Sequence, residues 1–156
     1  MIRSATPADL ANIAGLIRAL AEYERLSHAV IFKDADLEKN LFGPRPSAEV
    51  LVAEEAGTVV GFALFFTTFS TFWGKPGLWL EDLFVKPEHR GNGHGKKLLS
   101  SLARLAVERD YCKLEWAVLN WNEPAIKFYQ SLGAGPMDDW TVYRLAGDKL
   151  AAVAKS

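Results

Sequence analysis

The chain has one cysteine, three histidines and almost no net charge, −1 from 18 basic and 19 acidic residues. A single Cys112 excludes an internal disulfide, and without a second cysteine there is no plausible thiolate metal set. Cys112 is read instead as a small buried hydrophobe in a strand. His28 lies alone, and His89 and His94 flank a glycine turn without ligand spacing. The balanced charge leaves no basic footprint for nucleic acid or an anionic membrane. Long apolar runs are missing as well: the longest strongly apolar stretch, Val59 to Phe66, is far too short to cross a bilayer. The stretch from Met1 to Pro7 lacks the basic flank and apolar core of a signal peptide, so a cytoplasmic protein is expected, with no nucleic-acid or membrane partner. No internal repeat or low-complexity segment interrupts the chain.

What is present suits one compact domain over residues 1–156: 49% of residues are hydrophobic, and a chain of this length buries roughly 70% of its unfolded surface. Ile2 to Ser4 reads as a short strand. Thr6-Pro7-Ala8-Asp9 supplies an N-cap, a proline at the first helical position and an acidic residue at the third, and apolar Leu10, Ile13, Ile17 and Leu20 follow at helical spacing to about Glu24. A shorter helix is expected from Asp34 to Leu41. Glu49–Glu54 and Val59–Thr68 are β-rich runs joined by Glu55-Ala56-Gly57-Thr58, a hairpin signal. After a loop at Ser70–Gly77 come a strand at Leu78–Val85, a helix through Asp110 and a strand at Lys113–Leu119. Asn122 caps a further helix that Gly133 ends, and Trp140–Leu145 is expected as the last strand.

The most informative stretch runs from Leu80 to Gly95. A buried strand feeds Arg90-Gly91-Asn92-Gly93-His94-Gly95, which opens a helix at Lys96. Backbone N–H groups converge at such a turn, and the helix dipole adds its positive end, so the turn suits a phosphorylated cofactor. The spacing does not fit a dinucleotide-binding turn, whose third glycine falls on Lys96, nor a Walker loop, which needs a glycine at Arg90 and a hydroxyl at Lys97. The pattern present is Arg-x-x-Gly-x-Gly.

That pattern resembles the coenzyme A pyrophosphate loop of the GNAT N-acetyltransferases. A second segment, Asn122-Glu123-Pro124-Ala125-Ile126-Lys127-Phe128-Tyr129 followed by Gly133, is similar to the other cofactor-contacting element of that superfamily. The resemblance implies an α/β (α+β) GNAT fold: a mixed, mostly antiparallel twisted sheet of six to seven strands with about four helices, splayed beside the glycine turn to admit pantetheine. It implies acetyl-CoA as cofactor, held by Leu83, Phe84 and Val85, by the loop residues Arg90, Gly91, Asn92, Gly93, His94, Gly95 and Lys96, and by Asn122 and Tyr129. Asn122 also serves as a helix cap, and either role accounts for it.

Acetyl transfer to an amine needs the neutral nitrogen, and an amine with a reference pKa near 10.4 is only about 0.4% neutral at pH 8. A carboxylate beside the thioester removes the proton and attracts the cation. Glu81 and Asp82 stand at the end of the strand before the loop, and regular alternation would send them to opposite faces. Glu81 is assigned as base or water-holder and Asp82 to the substrate pocket; the alternative is that both are structural carboxylates. Tyr129 matches the tyrosine that protonates the leaving thiolate in many GNAT enzymes, and its alternative is a core aromatic.

Within the superfamily the chain is most similar to the diamine acetyltransferases of the spermidine/spermine and thialysine type, through Ala21-Glu22-Tyr23-Glu24, Leu80–Val85, the glycine loop and Trp121–Tyr129. That likeness places Tyr23, Glu24 and Trp140 around the amine with Glu81 and Asp82, and implies a homodimer. Polyamine enzymes of the family carry an aspartate where this chain has Ser70-Thr71-Phe72-Trp73, which favours a shorter amine such as a diamine, thialysine or a lysine-like amino acid. The competing readings are a GNAT enzyme acting on a protein lysine, an N-terminus or another amine, and a non-catalytic acyl-CoA sensor.

Overall fold

The computed structural model describes residues 1–156, which group into two compact units, Met1–Leu119 and Asn120–Ser156. The first unit is built on a five-stranded sheet in the order β1-β2-β3-β4-β5: β1 Ile2–Ser4, β2 Glu49–Glu55, β3 Thr58–Ser70, β4 Lys75–Val85 and β5 Leu114–Trp116. β1 to β4 pair antiparallel, and β5 runs parallel to β4. The helices of this unit are α1 Leu10–Tyr23, the single turn α2 Asp34–Leu37, extended by a wider turn at Glu38–Phe42, and α3 His94–Glu108. No helix is long and apolar enough to cross a membrane.

The sheet register explains the core. Val52, Phe62 and Phe84 are direct cross-strand partners on β2, β3 and β4, so their side chains share one face. Ile13, Leu16 and Leu20 recur on α1 at helical spacing and bury against that row together with Val50 and Val59. Each such buried side chain contributes about 1.5–3 kcal/mol, enough to fix where the end of α1 lies relative to β4. α3 buries Leu98, Leu99, Leu102 and Ala106. The expected hairpin is present: Ala56 and Gly57 both have positive φ, +48° and +78°, the geometry of a two-residue turn matched to the strand twist.

The expected loop at Ser70–Gly77 is mostly strand. Pairing of β3 with β4 continues to Ser70 and Lys75, leaving only Thr71–Gly74 as the tip; Pro76 is tolerated because its nitrogen and carbonyl face away from β3, the carbonyl accepting the Cys112 N–H, so no bond to β3 is lost.

Two features of β4 shape the site. Leu64 pairs with Asp82 and Phe65 with Leu80, so Glu81 is the extra residue of a β-bulge. Pairing with β5 is confined to Leu78–Leu80 against Leu114–Trp116. Beyond Leu80 the β5 side of β4 is open, which is the splaying that the resemblance implied. It also shortens the expected strand Lys113–Leu119 to Leu114–Trp116, since a strand without a ladder partner is not held extended.

The second unit contains α4 Glu123–Ser131 and α5 Gly147–Val153. Asn122 caps α4, its side-chain oxygen accepting the Ala125 N–H at 3.4 Å, and Gly133 ends it with φ +85°. The expected strand Trp140–Leu145 is absent: its alternation of apolar residues has strand propensity but enters no ladder, and Trp140, Val142, Tyr143 and Leu145 are exposed. The sheet therefore has five strands rather than six to seven, and there are five helices rather than four.

Candidate active site

Three carboxylates converge where β4 bulges. Glu81 and Asp82 do not follow the alternation of a regular strand, because the extra residue interrupts it. Burial of the Asp82 carboxyl, reinforced by the negative charges of Glu81 and of Glu24 at the end of α1, pushes its pKa up to about 7. Burial also raises Glu24 above the usual carboxylate range. Glu81 is exposed, and the Trp79 indole N–H donates to its Oε2 at 2.8 Å. The arrangement is an acidic cluster that attracts cations, and within it Asp82 changes charge close to neutral pH. Trp79 two positions before Glu81 is a partner that the sequence offers, since residues two apart on a strand share a side when no bulge intervenes.

Beside the cluster, Arg90 does not extend freely toward solvent. Its Nε donates to the Val85 carbonyl at 3.0 Å, and its guanidinium lies 4.9 Å from the Tyr23 ring centroid and 5.5 Å from that of Phe84. One side chain thus ties the start of the glycine loop to the end of α1 and to the open edge of β4. Tyr23, Phe84 and Arg90 are brought together, and Glu24, Glu81 and Asp82 form the neighbouring acidic group.

The loop itself has the backbone expected of an anion cradle. Gly91 and Gly93 have φ of +84° and +75°, a region that favours glycine. Gly93 occupies the N-cap of the 15-residue α3 with no side-chain cap, so the first-turn N–H groups are not capped by a side chain. A Cβ built on Gly91, Gly93 or Gly95 would meet nothing within 4 Å, so this surface is open for close approach. Together with the edge of Leu83–Val85 that β5 does not pair, where the Val85 carbonyl accepts from Arg90, these features fit coenzyme A: a diphosphate at the α3 N-terminus and an extended amide-bearing arm along β4. Lys96 and Asn92 are exposed at the rim. The His94 side chain turns inward and is buried, so only its backbone faces the cradle side.

In the second unit, Asn122 is buried as the α4 cap, Tyr129 lies half-buried on α4 with its ring centroid 5.4 Å from that of Phe128, and Trp140 is exposed.

Comparison with known proteins agrees with the fold. The family model described as Acetyltransferase (GNAT) family matches residues 15–134. The chain is 38% identical to the thialysine N-epsilon-acetyltransferase of Bos taurus, covering 99% of this chain and 96% of that protein. It is 31% identical to the L-ornithine N5-acetyltransferase NATA1 of Arabidopsis thaliana, covering 99% and 87%. Among solved structures, an integron cassette protein from the mobile metagenome of V. cholerae superposes with a TM-score of 0.84 at 29% identity, over 100% of this chain and 98% of that one. With the family model running from α1 past the end of α4, this chain belongs to the GNAT family and is an N-acetyltransferase.

Proposed function

We propose that the protein transfers an acetyl group from acetyl-CoA to a primary amine of a small molecule, of the class of thialysine, ornithine, a diamine or another lysine-like amino acid. The observation that carries the amine reading is the group of Glu24, Glu81 and Asp82, whose charges act on one another and on any cation that enters. The names of the thialysine and ornithine relatives support the same class. A cluster of three carboxylates favours a cationic substrate over a neutral one.

Acetyl-CoA supplies the acetyl thioester. The N–H groups from Gly91 to Lys96 hold its diphosphate, Leu83, Phe84 and Val85 offer backbone hydrogen bonds to its arm, and Asn122 contributes from the α4 cap. Tyr23, Glu24 and Trp140 border the amine. Asp82, with its pKa near 7, is the member of the acidic pair suited to accept a proton at working pH. Glu81, anchored by Trp79, holds the water or the amine through which that proton leaves. The ammonium gives one proton to Asp82 to become the neutral nucleophile, and its nitrogen gives up a second through the water held by Glu81 as the C–N bond forms. The C–S bond breaks, sulfur takes a proton from the Tyr129 phenol, and solvent restores that phenol and carries off the remaining proton. The Tyr129 role is supported by its place in the Asn122–Tyr129 motif.

The family match runs from the first compact unit into the second, and the thialysine acetyltransferase relative aligns over 99% of the chain, which supports reading residues 1–156 as one N-acetyltransferase domain. The exposed aromatics Phe69, Phe72 and Trp73 at the β3–β4 tip support a homodimer contact, tested by sedimentation at micromolar concentration. A panel of small amines and a lysine-containing peptide, each offered with acetyl-CoA and followed by thiol release, tests the substrate class. Turnover on small diamines or amino acids is expected; turnover on the peptide alone would replace this reading with protein acetylation.

A further inference from the structure

The glycine loop has no intrinsic reason to keep one conformation. Gly91 and Gly93 are both in the left-handed region, and their faces meet no other atoms within 4 Å. Binding an anion through convergent N–H groups nevertheless requires those groups to be held before the ligand arrives, or the ordering weakens the affinity. Arg90 anchors the start of the loop on Val85, Tyr23 and Phe84, and a contact that reaches its far end as well is needed to hold it.

Glu55 reaches both ends. It is the last residue of β2, fixed in place by the tight Ala56–Gly57 turn into β3. His89 closes the helical turn Pro87–His89 immediately before the loop, and its Nδ1 lies 2.6 Å from Glu55 Oε2. His94 opens α3 immediately after the loop, and its Nε2 lies 3.6 Å from the same oxygen, an ion-pair distance too long for a hydrogen bond. His94 is only 6% exposed, and neither of its ring nitrogens has a hydrogen-bond partner. A buried imidazole in that state calls for an explanation, and the carboxylate that reaches it is Glu55. The hydrogen bond with His89 in turn keeps Glu55 below the usual carboxylate range, so it is ionised at neutral pH.

We infer that Glu55 is a positioning residue for the cofactor loop: by clasping His89 and His94 with one oxygen it presets the N–H groups between them for a bound phosphate. The inference rests on the proposed reading of the loop as a coenzyme A site. The Arg90-x-x-Gly93-x-Gly95 pattern contains no requirement for Glu55 or for either histidine, so the clasp is a feature of these three side chains and not of the motif.

Calorimetric titration with coenzyme A tests it, using the full chain and the variants Glu55→Ala, Glu55→Gln, His89→Ala and the Glu55→Ala/His89→Ala double, each checked for folding by urea denaturation. Glu55→Ala is expected to weaken binding roughly tenfold, and His89→Ala by a similar factor, within the range of coupled contacts. The double variant should be no weaker than the weaker single by more than about twofold, because both remove one interaction. Glu55→Gln keeps the reach and a hydrogen bond to His89, and should return to within about threefold of the parent. In turnover assays the KM for acetyl-CoA should rise in parallel, with kcat at saturating acetyl-CoA and the amine KM within about twofold. A folded Glu55→Ala that binds like the parent, or losses that multiply in the double, overturns the clasp. Should Glu55→Ala not fold, His89→Ala and Glu55→Gln carry the same decision. A parent that binds no coenzyme A overturns the loop reading itself, and the clasp with it.

Discussion

Replacing Asp82 with asparagine isolates the energetic consequence of the acidic cluster. In the folded protein, burial and the neighbouring Glu81 and Glu24 push the Asp82 carboxyl up to about 7, against about 3.9 for a free aspartate. Between these values the folded state binds a proton that the unfolded state has lost, so stability is full below about pH 4 and falls as pH rises toward 7. The slope for one proton is about 1.36 kcal/mol per pH unit. Between pH 5 and pH 8 this amounts to about 3 kcal/mol, an upper figure because relaxation around the charge reduces it. Asparagine resembles the protonated acid and does not titrate. Urea denaturation of parent and Asp82→Asn at pH 5, 6, 7 and 8 should therefore show the stability of the variant relative to the parent growing by about 2–3 kcal/mol from pH 5 to pH 8. Other groups that titrate in this range are common to both proteins and largely cancel in the difference. The same substitution should lower kcat and remove the limb of the pH–rate profile near 7, a loss of activity accompanying a gain in stability. A stability difference that is the same at pH 5 and pH 8 within about 0.5 kcal/mol would refute the account of Asp82 as a destabilised, proton-accepting carboxyl.

Three further outcomes follow from the site. Gly93→Val, at φ +75° and at the point of close approach, should abolish coenzyme A binding in calorimetry while the protein stays folded. Tyr129→Phe should lower kcat by roughly ten- to a thousandfold with coenzyme A affinity within a few-fold; unchanged turnover would make Tyr129 a packing residue. Glu24→Gln should raise the amine KM with little change in kcat, because Glu24 stands at the end of α1 and attracts the cation equally before and during transfer, whereas Glu81→Gln should depress kcat. Steady-state kinetics on one active amine separates the two.

Much of this molecule was legible in its sequence because the signals are local. Helix α1 carries its own period, the Thr6–Asp9 pair caps the 3-10 turn that leads into it, the Ala56–Gly57 turn carries its positive-φ requirement, and the strand–glycine turn–helix unit has all its parts within Leu80 to Lys96. What escaped depends on pairing across the chain. Nothing in Leu78–Val85 marks Glu81 as a bulge; only the register of β4 against β3 decides that, and with it the failure of the expected alternation of Glu81 and Asp82. Trp140–Leu145 has the period of a strand but no ladder, and a strand exists only through its neighbour. Glu55 meets His89 across 34 positions of sequence, through side chains that three separate elements bring together, so no spacing rule could reveal it.

The central claim is acetyl transfer to a small cationic amine, and the most direct measurement is mass spectrometry of the products formed from acetyl-CoA with thialysine, ornithine, a short diamine and spermine in parallel. The account predicts N-acetylated product from the shorter amines, appearing with stoichiometric free thiol and lost in Glu81→Gln. Coenzyme A binding without acetylated product from any amine, or product formed equally well by Glu81→Gln, would contradict it.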